Sequence, residues 1–367
     1  MIRLRRGTVL RITSDRPGIQ EVDVEVDGVV ERALAYTELC GTVDEGATVV
    51  LNTTALAYGL GTGGYHLVVA VEGAELDPLP EGHVIKARYT PLQAKVQTVE
   101  EPGSPHREAF ERTRDLDGLP VVWTPLHSMV AAACAGARAA GASRVVYVMT
   151  DGAALPVWLS RQVHALRESG LLDAVVSCGQ AFGGDLEAVS VFSGLLAARG
   201  VAGADVVIVG DGPGKVGTAT RWGASDVASG VALNAVSSLK GRPIASLRLN
   251  FADPAYRHHG LSPHSLTVLR DVVLAPVAVA MPVLPDDRRR EVFAALRDAR
   301  IEDRHHVVEV SGEPALELLR DRGVEAESMG RRLEEEPALF LAAGAAGVLG
   351  ARMAAGTARW KHVARTS

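Results

Sequence analysis

Polar and apolar residues alternate along residues 1–73, most regularly in the segment QEVDVEV at residues 20–26. A period of two is typical of strands that place one face on a core and the other in solvent. Asp27 and Gly28 then give a two-residue turn signal before the next apolar stretch, which predicts a β-hairpin. Further short strand candidates follow with no helical segment between them. Residues 1–80 are therefore predicted to form a small β-barrel or sandwich domain.

The pattern changes after Pro78 and Pro80. Residues 81–118 read as a connecting segment with one or two extended stretches, and residues 119–367 alternate near-continuous apolar runs with helical patterns. Strands of this kind are buried on both faces, as in a parallel sheet covered by helices. The seven predicted strands are residues 119–124, 144–150, 172–178, 204–210, 244–250, 274–282 and 305–310.

This alternation predicts an α/β fold with a mostly parallel sheet. A doubly wound open sheet is favoured over a closed (β/α) barrel, because the barrel needs an eighth strand and only the segment at residues 83–89 offers one. Both architectures place a ligand site at the carboxyl ends of the strands. Most of the polar chemistry follows the fourth and fifth predicted strands of this domain.

A glycine loop follows the fourth of these strands. Gly212, Gly214 and Gly217 form GxGxxG between a strand and a predicted helix, a spacing that lets backbone amides approach a phosphate. Lys215 adds a cation, and it is one of five lysines among 38 basic residues. The predicted ligand-binding residues of this loop are Gly210, Asp211, Gly212, Gly214, Lys215, Gly217 and Thr218.

The loop matches no standard nucleotide motif completely. A dinucleotide site expects a carboxylate at the end of the next strand, which here ends near Asn250 with Asp253 as the nearest acid. Val209 and Val216 depart from the P-loop pattern. The loop is also compatible with a simple tight turn and a solvated lysine, so the cofactor stays unknown.

The fifth strand leads into a cluster of imidazoles, RHHGLSPHS at residues 257–265, close to Asp253. Histidines and a carboxylate can ligate a divalent metal or supply a general base, and solvent-exposed or structural roles are equally open. Earlier in the chain, His127 follows the first strand of the α/β part and either caps a helix or lines the cleft. The predicted catalytic residues are His127, Asp253, His258 and His264, with Arg257 as an anion ligand.

Composition limits the kinds of binding partner and the cellular location that we expect. A net charge of −6 with acidic and basic residues interspersed predicts no binding of nucleic acid or membrane and favours a small anionic molecule. Three widely spaced cysteines and the lack of a signal-peptide core predict a cytoplasmic protein. The apolar residues 337–351 are too short to span a bilayer and predict a buried helix.

Three segments resemble an uncharacterised family of bacterial proteins that is known only as a domain of unknown function. They are LNTTALAYGLGTGGYHLVVA, GDGPGKVGTATRWGASDVASGVALNAV and NFADPAYRHHGLSPHSLTVL, at residues 51–70, 210–236 and 250–269. The resemblance runs through both predicted domains and implies no activity, cofactor or site residue.

Three functions remain open at this point. The first is a protein that binds a small phosphorylated or anionic metabolite or nucleotide at the loop, with general acid/base catalysis as an extension. The second is a non-catalytic nucleotide sensor or scaffold whose β-domain recruits a partner or forms a homo-oligomer. The third is a metal-dependent hydrolase that uses His258, His259 and His264.

Overall fold

The chain divides into two compact units, Met1–Val96 and Gln97–Ser367. A computed structural model describes residues 2–61, 63–78, 81–152, 154–218, 220–252 and 259–358. Each unit has its own hydrophobic core. The boundaries at residues 80 and 118 stay a prediction from sequence.

The first unit contains a closed five-stranded barrel, with the strand order β1-β2-β3-β5-β4. Strand β1 pairs antiparallel with both β2 and β4, which closes the barrel, and β3 pairs parallel with β5. The predicted all-β domain is thus confirmed as a barrel. Its strands are β1 (Leu4–Arg16), β2 (Ile19–Val26), β3 (Val29–Ala35), β4 (Thr48–Asn52) and β5 (His66–Val71), its short helices are α1 (Thr37–Cys40) and α2 (Thr54–Ala57), and a hairpin of β6 (Val84–Lys86) and β7 (Ala94–Val96) follows.

The predicted hairpin is present in this barrel. Val22, Val24 and Val26 are buried in the core, as the alternation requires. Asp27 and Gly28 both have positive φ angles, of 52° and 79°, which are the angles of the turn that matches the twist of paired strands.

The second unit contains an open sheet of eight strands in the order β11-β10-β9-β12-β8-β13-β16-β17, and every pairing in it is parallel. The open sheet is the favoured architecture of the sequence prediction, and the segment at residues 83–89 contributes β6 to the first unit instead of an eighth barrel strand. Seven strands match the predicted ones, and the edge strand β11 was missed. The strands are β8 (Pro120–Trp123), β9 (Val145–Thr150), β10 (Ala174–Cys178), β11 (Leu186–Ala188), β12 (Val206–Asp211), β13 (Arg242–Ser246), β16 (Ala278–Pro282) and β17 (His306–Val310), with short pairs β14 (Leu249–Asn250) and β15 (Gly260–Leu261), and β18 (Glu327–Ser328) and β19 (Arg331–Arg332).

Helices cover both faces of this sheet. On one face, Gly350 of the last helix packs against Val122 and Ile244. Gly194 packs against Val148, which is in register with Trp123. Because Trp123 and Val122 are successive residues of one strand, they point to opposite faces, so Gly194 lies on the other face. The helices are α3 (Arg107–Arg112), α4 (Val130–Ala139), α5 (Arg161–Glu168), α6 (Val191–Gly200), α7 (Ser225–Ser229), α8 (Ala232–Ser238), α9 (Pro263–Thr267), α10 (Asp286–Asp298), α11 (Glu313–Asp321) and α12 (Pro337–Ala354), with 3-10 turns at His127–Met129, Val157–Leu159 and Ile301–Asp303 and a π-helical turn at Val268–Val272.

The last helix, α12, is the predicted buried helix, extended to Ala354. By length and composition alone it is the one described helix that could cross a membrane, but 83% of it is buried inside the protein. It packs so closely on α4 that a Cβ atom at Gly347 would fall on the carbonyl oxygen of Ala133. This burial is typical of the core helix of a soluble protein.

The strand order defines where a ligand would enter. The chain passes from β9 to β10 on one side, whereas from β12 it passes to β13 on the other side. Adjacent strands whose connections diverge leave a crevice at their carboxyl ends, which is where open α/β sheets bind ligands. Here the crevice lies between the ends of β9 and β12.

Candidate functional site

A buried carboxylate marks this crevice. Asp211 is the last residue of β12 and is 4% exposed. Its Oδ1 atom accepts a hydrogen bond from the hydroxyl of Thr150, the last residue of β9. Its Oδ2 atom lies 2.6 Å from Nζ of Lys215. One carboxylate therefore joins the ends of β9 and β12, the two strands whose following connections diverge.

Lys215 folds back from the glycine loop onto the end of β12. Its side chain is 16% exposed, and Nζ also donates to Oγ of Ser229, 3.4 Å away. Lys215 is therefore not the solvated surface lysine of the tight-turn alternative. The ammonium uses two of its three N–H donors and keeps one for a ligand.

The glycine loop, residues 210–218, turns sharply at Gly214, which has a φ of 94°. Within the described residues, the amides of Gly214, Lys215 and Gly217 donate no hydrogen bond. A Cβ atom at Gly217 would meet nothing within 4 Å. The loop thus presents backbone donors and open space beside a lysine.

The helix that was expected directly after this loop is not formed, which corrects the sequence prediction. Residues 216–218 and 223–225 instead form the two arms of a small hairpin, in which the amide of Thr218 donates to the carbonyl of Gly223 and the amide of Ser225 to that of Val216. The hydroxyl of Thr218 also bonds within this hairpin. Helix α7 starts only at Ser225 and has five residues, so no long helix dipole faces the loop.

A second polar group continues the site beyond Lys215. Ser229 of α7 accepts a hydrogen bond from Nε1 of Trp123, 3.1 Å away, and donates to the carbonyl of Asp226. Asp226 is 3% exposed, and its Oδ2 atom has no hydrogen-bond partner in the described residues. The nearest cation is the guanidinium of Arg248, with Nη1 at 3.9 Å from Oδ2. Arg248 follows the end of β13 by two residues.

His127 is held in a chain of hydrogen bonds below this site. Its Nε2 atom accepts from the hydroxyl of Ser160 at 2.7 Å, and Nδ1 donates to the hydroxyl of Tyr147 at 3.2 Å. The Tyr147 hydroxyl donates to the backbone carbonyl of Asp211, 2.9 Å away. Burial lowers the pKa of His127 to about 4, so the ring is neutral near pH 7. Both ring nitrogens are in use, which favours a structural role over a catalytic one.

The imidazole cluster is only partly described. Asp253, Arg257 and His258 lie outside the described residues. His264 donates from Nε2 to the carbonyl of Thr220 at 3.0 Å, so α9 adjoins the hairpin of the glycine loop. His259 instead lies 3.5 Å from Glu291 and stacks edge-on against Phe251. Among the described residues, no three metal-ligating side chains converge.

The structure therefore brings together Asp211, Lys215 and the loop glycines. His127 is linked to the backbone of Asp211 through the hydroxyl of Tyr147. Sequence reasoning missed Asp226, Ser229 and Arg248, which complete the polar site. The signal for Asp226 was weak, because a single acid at the start of a helix is usually a favourable dipole partner. Arg248 was easier to predict than Asp226, because it is a charged residue two positions after the end of a buried strand.

Comparison with known proteins agrees with the resemblance seen in the sequence. A family model described as protein of unknown function (DUF3866) matches residues 32–347. The match includes β4, β5 and the end of β3 in the barrel, the whole glycine loop and Arg248. A search of curated proteins gives no match.

Proposed function

Since the chain belongs to this family of unknown function, we propose from the geometry alone that the protein binds a small phosphorylated or otherwise anionic molecule at the glycine loop. The observation that carries the proposal is the set of free amides at Gly214, Lys215 and Gly217 beside the Lys215 ammonium. Successive backbone N–H groups around a turn with positive φ form an anion-binding concavity. A compact ammonium at its base adds a point charge for phosphate.

The position of the loop supports the same proposal. It begins at the end of β12, beside the crevice where the sheet connections diverge. The pair of Asp211 and Lys215 fixes the base of the loop before any ligand arrives, which lowers the entropic cost of binding.

We take the protein to be a cytoplasmic binder of small molecules, with neither nucleic acid nor a membrane as its partner. Light scattering tests whether it forms a homo-oligomer. The described imidazoles offer limited support for catalysis. His127 is neutral and fully bonded, and His264 is the described imidazole that adjoins the loop hairpin. A sensor role is therefore as compatible with the geometry as general acid/base catalysis. His264 bonds to the carbonyl of Thr220 and His259 lies 3.5 Å from Glu291, so the two imidazoles contact separate partners and give no support to a metal-dependent hydrolase.

The test is a thermal-shift and calorimetric screen with inorganic phosphate, nucleotides and sugar phosphates. We expect stabilisation that rises with concentration, since a ligand that binds only the folded state raises the melting temperature. Mass spectrometry of the recovered ligand separates a sensor, which returns it unaltered, from an enzyme.

Matched glycine variants locate the site. Gly217→Ala should melt like the wild-type protein, because its new methyl group has no neighbour within 4 Å, but it should bind phosphate more weakly because the methyl group crowds the amides. Gly61→Ala has equally open surroundings and should keep full binding. Failure of every phosphate to bind, or unchanged binding by Gly217→Ala and Lys215→Ala, would refute the proposal.

A further inference from the structure

Asp226 is an unusual group to find in a protein core. Its carboxylate is 3% exposed, and the described residues give Oδ2 no hydrogen bond. Burial of a charged group without hydrogen bonds is costly. The neighbouring carboxylate of Asp211, which is 4% exposed, is bonded on both oxygens. The contrast between these two acids needs an explanation that packing does not give.

Arg248 is equally short of partners. Its side chain is 20% exposed, and its guanidinium donates to no oxygen of the described residues, with only the sulfur of Met329 near Nη2 at 3.9 Å. The distance of 3.9 Å between Nη1 and Oδ2 of Asp226 is too long for a hydrogen bond. Each group therefore keeps capacity for a further partner.

One kind of atom can satisfy both groups at once. A hydroxyl both donates and accepts, so a single hydroxyl oxygen between them can donate to Asp226 and accept from Arg248. An oxygen at ordinary hydrogen-bond distance from each fits across a gap of 3.9 Å. A carboxylate or a fully ionised phosphate group cannot do this, because it has no donor for the aspartate and carries the same charge.

This pair lies next to the proposed anion site. The hydroxyl of Ser229 accepts from Nζ of Lys215 and donates to the backbone carbonyl of Asp226. The phosphate end of a ligand at Lys215 would thus lie within one small molecule's length of the pair of Asp226 and Arg248.

We infer that the ligand is a phosphate ester that carries free hydroxyl groups, with the phosphate on the glycine loop and a hydroxyl between Asp226 and Arg248. This inference rests on the proposed function and specifies its ligand class. Sugar phosphates and nucleotides share this chemistry, and the experiment separates them.

Calorimetry with four probes tests the inference: inorganic phosphate, D-ribose 5-phosphate, AMP and D-ribose. One hydrogen bond to a charged group gives about tenfold tighter binding, so at least one of the two esters should exceed inorganic phosphate by this factor. Asp226→Asn should remove about this tenfold advantage of the ester over inorganic phosphate. Tighter binding of D-ribose 5-phosphate would identify a sugar phosphate as the ligand class, and tighter binding of AMP would identify a nucleotide.

The melting temperature of the ligand-free protein gives a second readout. Asp226→Asn should raise it, because a neutral amide is less costly to bury than an unbonded carboxylate. The matched variant Asp211→Asn should lower it, because that carboxylate is fully bonded. A purely structural Asp226 would behave like Asp211.

The outcomes separate the two proposals. Equal affinity for inorganic phosphate and both esters, or an Asp226→Asn variant that melts lower and discriminates like the wild type, overturns the inference and leaves the anion site standing. Failure of all three phosphates overturns both proposals, and binding of D-ribose alone would then point to a sugar site without a phosphate.

Discussion

The Nζ atom of Lys215 lies 2.6 Å from Oδ2 of Asp211, and the two residues are four apart in a loop that is not helical. The pair is largely buried, with side chains that are 16% and 4% exposed. It closes the glycine loop onto the end of β12, so the same contact serves stability and the proposed binding site.

Removal of Lys215 should therefore destabilise the protein. Lys215→Ala leaves the carboxylate of Asp211 buried without its cation, which costs about 3 kcal/mol. Urea unfolding measures the loss. A second substitution, Asp211→Asn, in the Lys215→Ala background should recover part of it, because the unpaired charge is then gone.

Lys240→Ala is the matched control for this cycle. Lys240 pairs with Asp115 at 2.9 Å, but its side chain is 78% exposed. Exposed pairs contribute little, so the unfolding free energy should stay close to that of the wild type. Strictly additive effects of the Lys215 and Asp211 substitutions would show that their contact is not energetically coupled.

Acid should weaken the protein through two buried histidines. Burial lowers the pKa of both His127 and His305 from 6.5 to about 4. The unfolded chain binds protons below pH 6.5, whereas the folded chain binds them only near pH 4, so stability is full above pH 6.5 and is lost as the pH falls to 4. Each histidine contributes at most about 3 kcal/mol to this loss.

Denaturant unfolding at a series of pH values measures this dependence. His127→Gln removes one titrating group and should make the curve between pH 6.5 and pH 4 shallower. The exposed His106→Gln is the control and should leave the slope unchanged. An unchanged slope in His127→Gln would mean that His127 is not held neutral in the folded protein.

Close packing between α12 and α4 should make Gly347 intolerant of substitution. A methyl group there would fall on the carbonyl oxygen of Ala133 and lie 2.8 Å from the amide of Ala137. Alanine stabilises a helix relative to glycine by about 1 kcal/mol, but overpacking costs about 3 kcal/mol, so the net effect on the free energy of unfolding should be a loss. Thermal unfolding of Gly347→Ala should show a clear loss of stability.

Gly61→Ala serves as the control for this substitution, because a methyl group at residue 61 meets no atom within 4 Å. If Gly347→Ala were as stable as the wild type, the two helices would have to separate without cost, contrary to the packing described above.

The fold was largely predictable because a strand that is buried on both faces appears in the sequence as a continuous run of apolar residues. Strand β9, with six buried residues in succession, is an example. Strand β11 was missed because it has only three residues and the middle one is Glu187, so no apolar run marks it. The barrel hairpin was predictable because Asp27 and Gly28 suit the positive φ angles that its turn requires.

The site was less predictable, because its contacts depend on tertiary structure. The glycine spacing suggested a helix after the loop, but the bond from Thr218 to Gly223 closes a hairpin there instead. The partner of Lys215 lay four residues back, a spacing that indicates contact in helices and carries no such meaning in a loop. Asp226 and Arg248 are 22 residues apart in sequence, and only the tertiary structure brings Nη1 of Arg248 to 3.9 Å from Oδ2 of Asp226.

The most direct test of the central claim is a phosphate titration followed by NMR on the protein labelled with ¹⁵N at glycine and lysine. If the loop binds phosphate, the amide signals of Gly214, Lys215 and Gly217 shift together with one dissociation constant, while those of Gly61 and Gly141 stay in place. Loop signals that do not move at saturating phosphate, or shifts confined to other parts of the chain, would show that the glycine loop is not the phosphate site.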